Sequence, residues 1–315
     1  SRRFGNANPE PMNLSFWRWM IEGDGQDSYI PYQARKMFGA ESDSNGPVWS
    51  FGRMGKTKTQ VADGRTIHIA GEYEDSYDPD FCIYNDVIVF SADGQFTIYG
   101  YPESTFPPTD FHSASVVEDK IVLIGTVGYH GKRTQGVTPV YSLNLSSYSI
   151  SQMLTTGDAP GWISKHSAEA VGEGTIRVTG GEVFEIRDGK QHFIDNYEDY
   201  LLEVENGLWR RLTNRNWRQY SITAIDRELF VLERNPDPKS LTPRSVALAD
   251  LQDLAWNAAR FYCDGLWARV TVDISSVNVV VESSEDGASA QSIAREIKDR
   301  VEDAIKKACV LTQLR

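Results

Sequence analysis

The chain has 315 residues, of which 40% are hydrophobic and 24% charged, a balance too apolar for disorder and ordinary for a globular protein of one or two domains. Its formal net charge of −12 argues against a nucleic-acid backbone or an anionic membrane surface as partner, since both select a clustered positive face. Three cysteines, Cys82, Cys263 and Cys309, stand at no motif spacing, which excludes a disulfide framework and a zinc ribbon. No apolar run approaches the ~20 residues that span a bilayer, and "SRRFGNANPEP" has no apolar leader core, so the expectation is a cytoplasmic protein.

Residues 1–50 carry few strand signals until "GPVWSF", whose aromatic suits the outer strand of a sheet and could pair with C-terminal strands. From there the chain repeats every 54 residues. Lys58, His112, His166 and Tyr220 occupy the same slot, each after a Pro/Gly-rich or polar approach and before a short strand. A turn ("DG", "ED", "GEG", "DR") leads to a second strand: "TIHIAGEY", "IVLIGTVGY", "TIRVTGGEV", "ELFVLERN". A third follows in "YNDVIVFS", "TPVYSLNL" and "DYLLEVEN", then an outer strand with an aromatic in "GQFTIYG", "SYSISQM" and "GLWRRL". Four-stranded units of this length cannot bury both faces alone, so they must stack, and radial stacking makes a propeller.

The stretches "FPPTDFHSASVVEDKIVLIGTVGY" and "GDAPGWISKHSAEAVGEGTIRVTGG" resemble kelch repeats, with a His-Ser, a strand and a glycine-marked bend; the likeness runs over roughly residues 53–235. Asp110 and Lys165 stand near where that family often has Arg, and only the third repeat keeps the double glycine. The resemblance implies a mainly β fold, a kelch-like β-propeller of at least four recognisable blades over residues 51–247, with residues 1–50 completing a blade and residues 248–315 forming a small C-terminal α/β element.

Within that last part, "PRSVALADLQDLAW" reads two ways. One is the outer half of the fourth blade, with Trp256 as its aromatic. The other is a helix with Leu248, Leu251, Leu254, Ala255 and Ala258 on one face, favoured by the lack of β-branched residues. "WARVTVDI" and "VNVVVES" predict strands, and "GASAQSIAREIKDRVEDAIKKACV" an amphipathic helix with Ile293, Ile297, Val301, Ala304, Ile305 and Ala308 as its apolar stripe. This element either caps the repeat array or holds two chains together as a homodimer.

Candidate functional residues lie on the connections. The loop "GEYEDSYDPDFCIYND" crowds Glu72, Glu74, Asp75, Asp78, Asp80 and Asp86 among Tyr73, Tyr77, Phe81 and Tyr84. Its spacing is not that of a calcium loop. Converging carboxylates suit a divalent cation, while carboxylates with aromatics suit a cationic peptide or basic side chain, and a merely solvated loop is the plain alternative. Asp110, Arg133, Trp162, Lys165 and Trp217 lie on loops placed to reach a shared face, with Trp162 and Trp217 near the repeat period. His112 and His166 serve either a central pocket or, as the resemblance implies, hydrogen bonds between blades. No nucleophile elbow, phosphate loop or metalloprotease helix is present in the sequence.

The expected function is a binding module that recognises a protein or peptide partner through blade-connecting loops, with no cofactor. The alternative is a small-molecule or metal-dependent enzyme at the propeller axis, built from the 72–86 loop and the histidines.

Overall fold

The computed structural model describes residues 4–23, 37–38, 49–75, 78–172, 174–187, 189–225, 236–282 and 287–315; the side chains of 75, 78–80, 248, 287 and 288 are not among them. The chain is mainly β and divides into two compact units, Ser1–Ile186 with Glu198–Thr213, and Arg187–Tyr197 with Asn214–Arg315.

The first unit holds three sheets that follow the 54-residue period. In the first, Thr57–Gln60, Thr66–Ile69, Val87–Phe90 and Phe96–Gly100 pair in sequence order, each antiparallel to the next. The second repeats this with Ser113–Val117, Lys120–Ile124, Val140–Asn144 and Ile150–Gln152. The third repeats it with Ser167–Gly172, Thr175–Thr179, Tyr200–Glu203 and Leu208–Arg211, to whose outer edge Thr156–Gly157 adds in parallel.

These sheets stack face to face, and the run "KIVLI" shows why it is apolar throughout. Ile121 and Leu123 pack with Ile67, Ile69, Val87 and Val89 of the first sheet. The alternate residues Val122 and Ile124 pack with Ile176, Val178 and Leu202 of the third. A strand buried on both faces has no polar side to show. The far side of the third sheet is polar: Ser167, Glu169 and Arg177 are exposed there.

The N-terminal part covers the first sheet. Strand Glu10–Pro11 pairs with the outer strand Phe96–Gly100, and helix Ser15–Glu22 buries Trp17 and Met20 against Ile88 and Ile98. Trp49 stacks on Trp17 with centroids 4.7 Å apart. The expected strand at "GPVWSF" pairing with C-terminal strands is therefore replaced, over its described residues Trp49–Phe51, by a non-strand segment sealed into this aromatic cluster.

The second unit is a six-stranded antiparallel sheet in the order Leu251–Ala255, Ala258–Cys263, Leu266–Val272, Val277–Glu282, Trp217–Ala224, Cys309–Gln313. Helix Gly287–Ile305 lies across one face, burying Ile293, Ile297, Val301 and Ile305 on Ile222, Phe261, Val270 and Val279.

Three expectations change here. The fourth repeat does not build its own four-stranded sheet among the described residues: its strand Trp217–Ala224 sits inside the C-terminal sheet, in the unit made of Arg187–Tyr197 with Asn214–Arg315, and "ELFVLERN" lies outside the described residues. The helix expected around 248–262 is a hairpin of two strands after one short 3-10 turn. There Ala259, Phe261 and Cys263 alternate into the core, and that burial outweighs the helix propensity of the leucines and alanines. The last helix stops at Ile305, where Lys306 turns at φ 59°, and leaves Ala308 exposed outside the stripe.

Candidate functional site

In a four-stranded antiparallel meander, the approach to the innermost strand and the connection between the second and third strands lie at the same end. The first unit therefore gathers "TDF", "ISK" and the loops after Ile69, Ile124 and Thr179 at one end of its sheets. The backbone there is tied across sheets. Gly55, Phe111 and Lys165 all adopt left-handed backbone, with φ 61°, 46° and 56°. Phe111 N donates to Gly55 O at 2.8 Å, and Lys165 N to Phe111 O at 2.9 Å. Two non-glycine residues held at positive φ, one repeat apart, mark a conformation that the cross-sheet bonds enforce.

The next residue in each repeat is the histidine. His112 Nε2 hydrogen-bonds Thr57 Oγ1 at 2.9 Å, one sheet back, and His166 Nε2 hydrogen-bonds Ser113 Oγ at 2.8 Å. Burial holds both imidazoles neutral, down to about 3 for His112 and about 4 for His166. They join consecutive sheets. Of the other two residues in the slot, Lys58 is exposed and Tyr220 is buried in the core of the second unit, so the four do not form a ring of polar groups.

Asp110 is fully buried. Its Oδ1 accepts from Thr126 Oγ1 and from Gly128 N, both at 2.7 Å, and so shapes the loop that follows Ile124. Its Oδ2 is enclosed and receives no hydrogen bond from any N–H or hydroxyl. Beside it stands Glu72, which opens strand Glu72–Asp75 and exchanges two backbone bonds with Met54. Burial, hydrogen-bonding to the Asp110 carboxyl, and the charges of Asp110 and Glu74 push Glu72 up to about 7, against the opposing pull of Lys165. Near pH 7 Glu72 is therefore partly protonated beside the buried Asp110 carboxyl.

Around this pair, Lys165 Nζ bonds Glu182 Oε2 at 2.9 Å, with the side chains 47% and 30% exposed. Arg133 donates from Nε to Val127 O (2.9 Å) and from Nη2 to Gly128 O (3.0 Å); Asp110's charge steadies it while burial lowers its pKa. Trp162 Nε1 donates to Val127 O at 3.2 Å. Phe81, 41% exposed, meets Tyr129 edge-on, and Tyr129 Oη accepts from Ile83 N at 2.8 Å.

Of the remaining acidic residues, the two with described side chains, Glu74 and Asp86, do not converge. Glu74 is exposed, and the side chains of Asp75, Asp78 and Asp80, with Tyr77, lie outside the described residues. Asp86 turns inward to a buried bidentate pair with Arg53 at 2.5 and 2.9 Å, and also accepts from Trp49 Nε1 at 2.7 Å. Arg53 stacks 3.6 Å over Tyr84, so this ion pair is part of the core. Trp217, expected on the contact face, is instead 1% exposed in the second unit, packed on Tyr197, Ile194, Val280 and Leu314 beneath Arg315. A large aromatic beside a β-branched core gains more from burial than from display. Among the described residues no group of three or more His, Cys, Asp or Glu is placed to hold a metal ion, and no helix is long and apolar enough to cross a membrane.

Sequence reading missed Thr57, Ser113, Thr126 and Glu182 as partners of this end. A signal existed for one of them: Thr126 stands 54 residues after Glu72, so Asp110 is bonded by the repeat-equivalent of the acid it pairs with. Glu182 carried no such signal.

No family model and no curated protein sequence matches the chain. Among solved structures, "Structure of YjhT" is similar at 12% identity, covering 74% of this chain and 67% of that one with a TM-score of 0.38, a likeness too slight to carry an argument.

Proposed function

We propose that the three stacked sheets are blades of a kelch-like β-propeller, and that the chain is an interaction module whose connection end recognises a protein or peptide partner. The side-by-side placing of successive inner strands, with Thr57–His112 and Ser113–His166 bridging them, supports the blade reading. The observation that carries the function is the pre-organised surface at the connection end. Lys165 ends the line of backbone bonds from Gly55 through Phe111, Glu72 exchanges two with Met54, Trp162 O accepts from Phe184 N, and Glu182 pairs with Ser164 across two strands. Side chains on such a frame lose little freedom on binding, which favours a contact surface.

A second reading, acid–base chemistry on a small molecule, rests on Glu72 being held at about 7 beside Asp110. The histidines do not serve it, since their Nε2 atoms are engaged between sheets.

The test is affinity capture with immobilised full-length protein beside a Trp162→Ala/Lys165→Glu variant of unchanged circular dichroism. The module reading expects proteins retained by the parent and lost by the variant. Identical retained sets from both would defeat it.

A further inference from the structure

We propose that the Glu72–Asp110 carboxyl pair is the receptor for a basic side chain of the partner, whose cationic group supplies the donor that Asp110 Oδ2 lacks. The inference deepens the interaction reading above and rests on it.

Three observations lead there. Asp110 Oδ2 is enclosed with no donor, although its twin oxygen takes two. A buried carboxylate oxygen left in that state is costly, so a proton or a cation must satisfy it. Second, Glu72 is half-buried while Asp110 is fully buried, so of the two carboxyls Glu72 is the one that solvent reaches. Third, the local cations are committed elsewhere. Lys165 bonds Glu182, Arg133 donates to Val127 O and Gly128 O, and Lys56, on the segment facing Glu72, donates to Phe51 O at 2.8 Å. Of the described charged groups, Asp110, Glu74 and Lys165 act on Glu72, two acids against one base, and Arg133 lies in the field of Asp110.

The exchange balances simply. An ammonium or guanidinium group enters, the proton on Glu72 leaves to solvent, and Glu72 becomes a carboxylate hydrogen-bonded by the incoming N–H groups. Because the proton must leave, binding strengthens as pH rises. With Glu72 at about 7 in the free protein, a side chain that binds only ionised Glu72 binds roughly tenfold tighter at pH 8 than at pH 6.

The test is an NMR titration of the full-length protein with the peptide acetyl-Gly-Gly-Lys-Gly-Gly-amide, its arginine twin and its Nε-acetyl-lysine form, at pH 6 and pH 8. One or both cationic peptides should bind roughly tenfold tighter at pH 8, and the acetylated peptide should not bind. The Glu72 carboxyl resonance, with carbon-13 label, should titrate at lower pH in the complex than alone. Glu72→Gln, which keeps the shape and removes the charge, should lose the affinity and its pH slope.

Binding that ignores pH, equal binding of the acetylated peptide, no binding by any peptide, or full affinity in Glu72→Gln would each overturn the inference. So would binding seen only in Lys165→Met, which would show that Lys165 itself fills the place. If the peptides fail while captured proteins still depend on Trp162 and Lys165, the receptor falls and the interaction reading stands. If the peptides bind as expected while no protein is captured, the opposite holds.

Discussion

His112 and His166 show at residue scale how a repeated side chain can be structural. Each reaches back to a hydroxyl on the preceding sheet, and each is kept neutral by burial. The stability consequence has a definite sign. Above the ordinary histidine value of about 6.5, both folded and unfolded chains hold a neutral ring and nothing changes. Below it the unfolded chain takes up protons that the folded one refuses, so each histidine weakens the fold by about 1.4 kcal/mol per pH unit. For His112 this continues down to about 3. His112→Gln keeps an acceptor for Thr57 without a titrating ring. Urea midpoints between pH 5 and pH 6 should fall less steeply for the variant than for the parent, by that slope; parallel curves would contradict the neutral, buried assignment.

At the scale of elements, the bend that ends each second strand is decided by how closely the next sheet approaches. Gly125 stands at φ 75°, and a methyl group there would meet Ile163 O at 2.1 Å and His166 Cε1 at 2.9 Å. The neighbouring Thr126 N donates to that same Ile163 O at 2.9 Å, so the contact is also a hydrogen-bonded crossing between sheets. Gly94 has a similar φ of 84° but open space around it. Gly94→Ala should therefore cost roughly 1 kcal/mol, from backbone strain alone, and Gly125→Ala roughly 3 kcal/mol or more, because sheets must separate as well. Denaturant unfolding of the two variants measures the difference, and equal losses would remove the close-approach explanation. The hairpin Leu251–Ala255 with Ala258–Cys263 carries the contrary lesson. Its residues space their leucines as a helix does, yet the pairing of Leu251 with Phe261 and the shared core below made strands the better solution.

At the scale of the whole molecule, two units have separate cores: stacked sheets in one, a helix laid on a sheet in the other. Calorimetry should resolve two transitions. Ile121→Ala, fully buried between the first and second sheets, should lower one of them. Ile297→Ala, fully buried under the second unit's helix, should lower the other. Each truncation is worth about 2–5 kcal/mol. A single transition moved by both variants would mean that the units unfold as one.

Local pattern was enough to reveal the period, the order of strands within three sheets, the glycine bends and the apolar stripe Ile293–Ile297–Val301, because each reflects a spacing that only one backbone geometry satisfies. It also placed Asp110, Lys165 and Trp162 on neighbouring connections, since each lies within four residues before a repeat histidine. Tertiary structure decided the rest. Whether Trp217–Ala224 starts a new sheet or joins the C-terminal one depends on which strands compete for its edges, Val277–Glu282 and Cys309–Gln313, some 60 and 90 residues away. Whether Asp86 lies in an acidic cluster or in the core depends on Arg53 arriving to neutralise it. And whether Glu72 is one carboxylate among several or an acid raised to about 7 depends on burial beside Asp110, 38 residues on, which no spacing rule encodes because desolvation is a property of everything packed around the group.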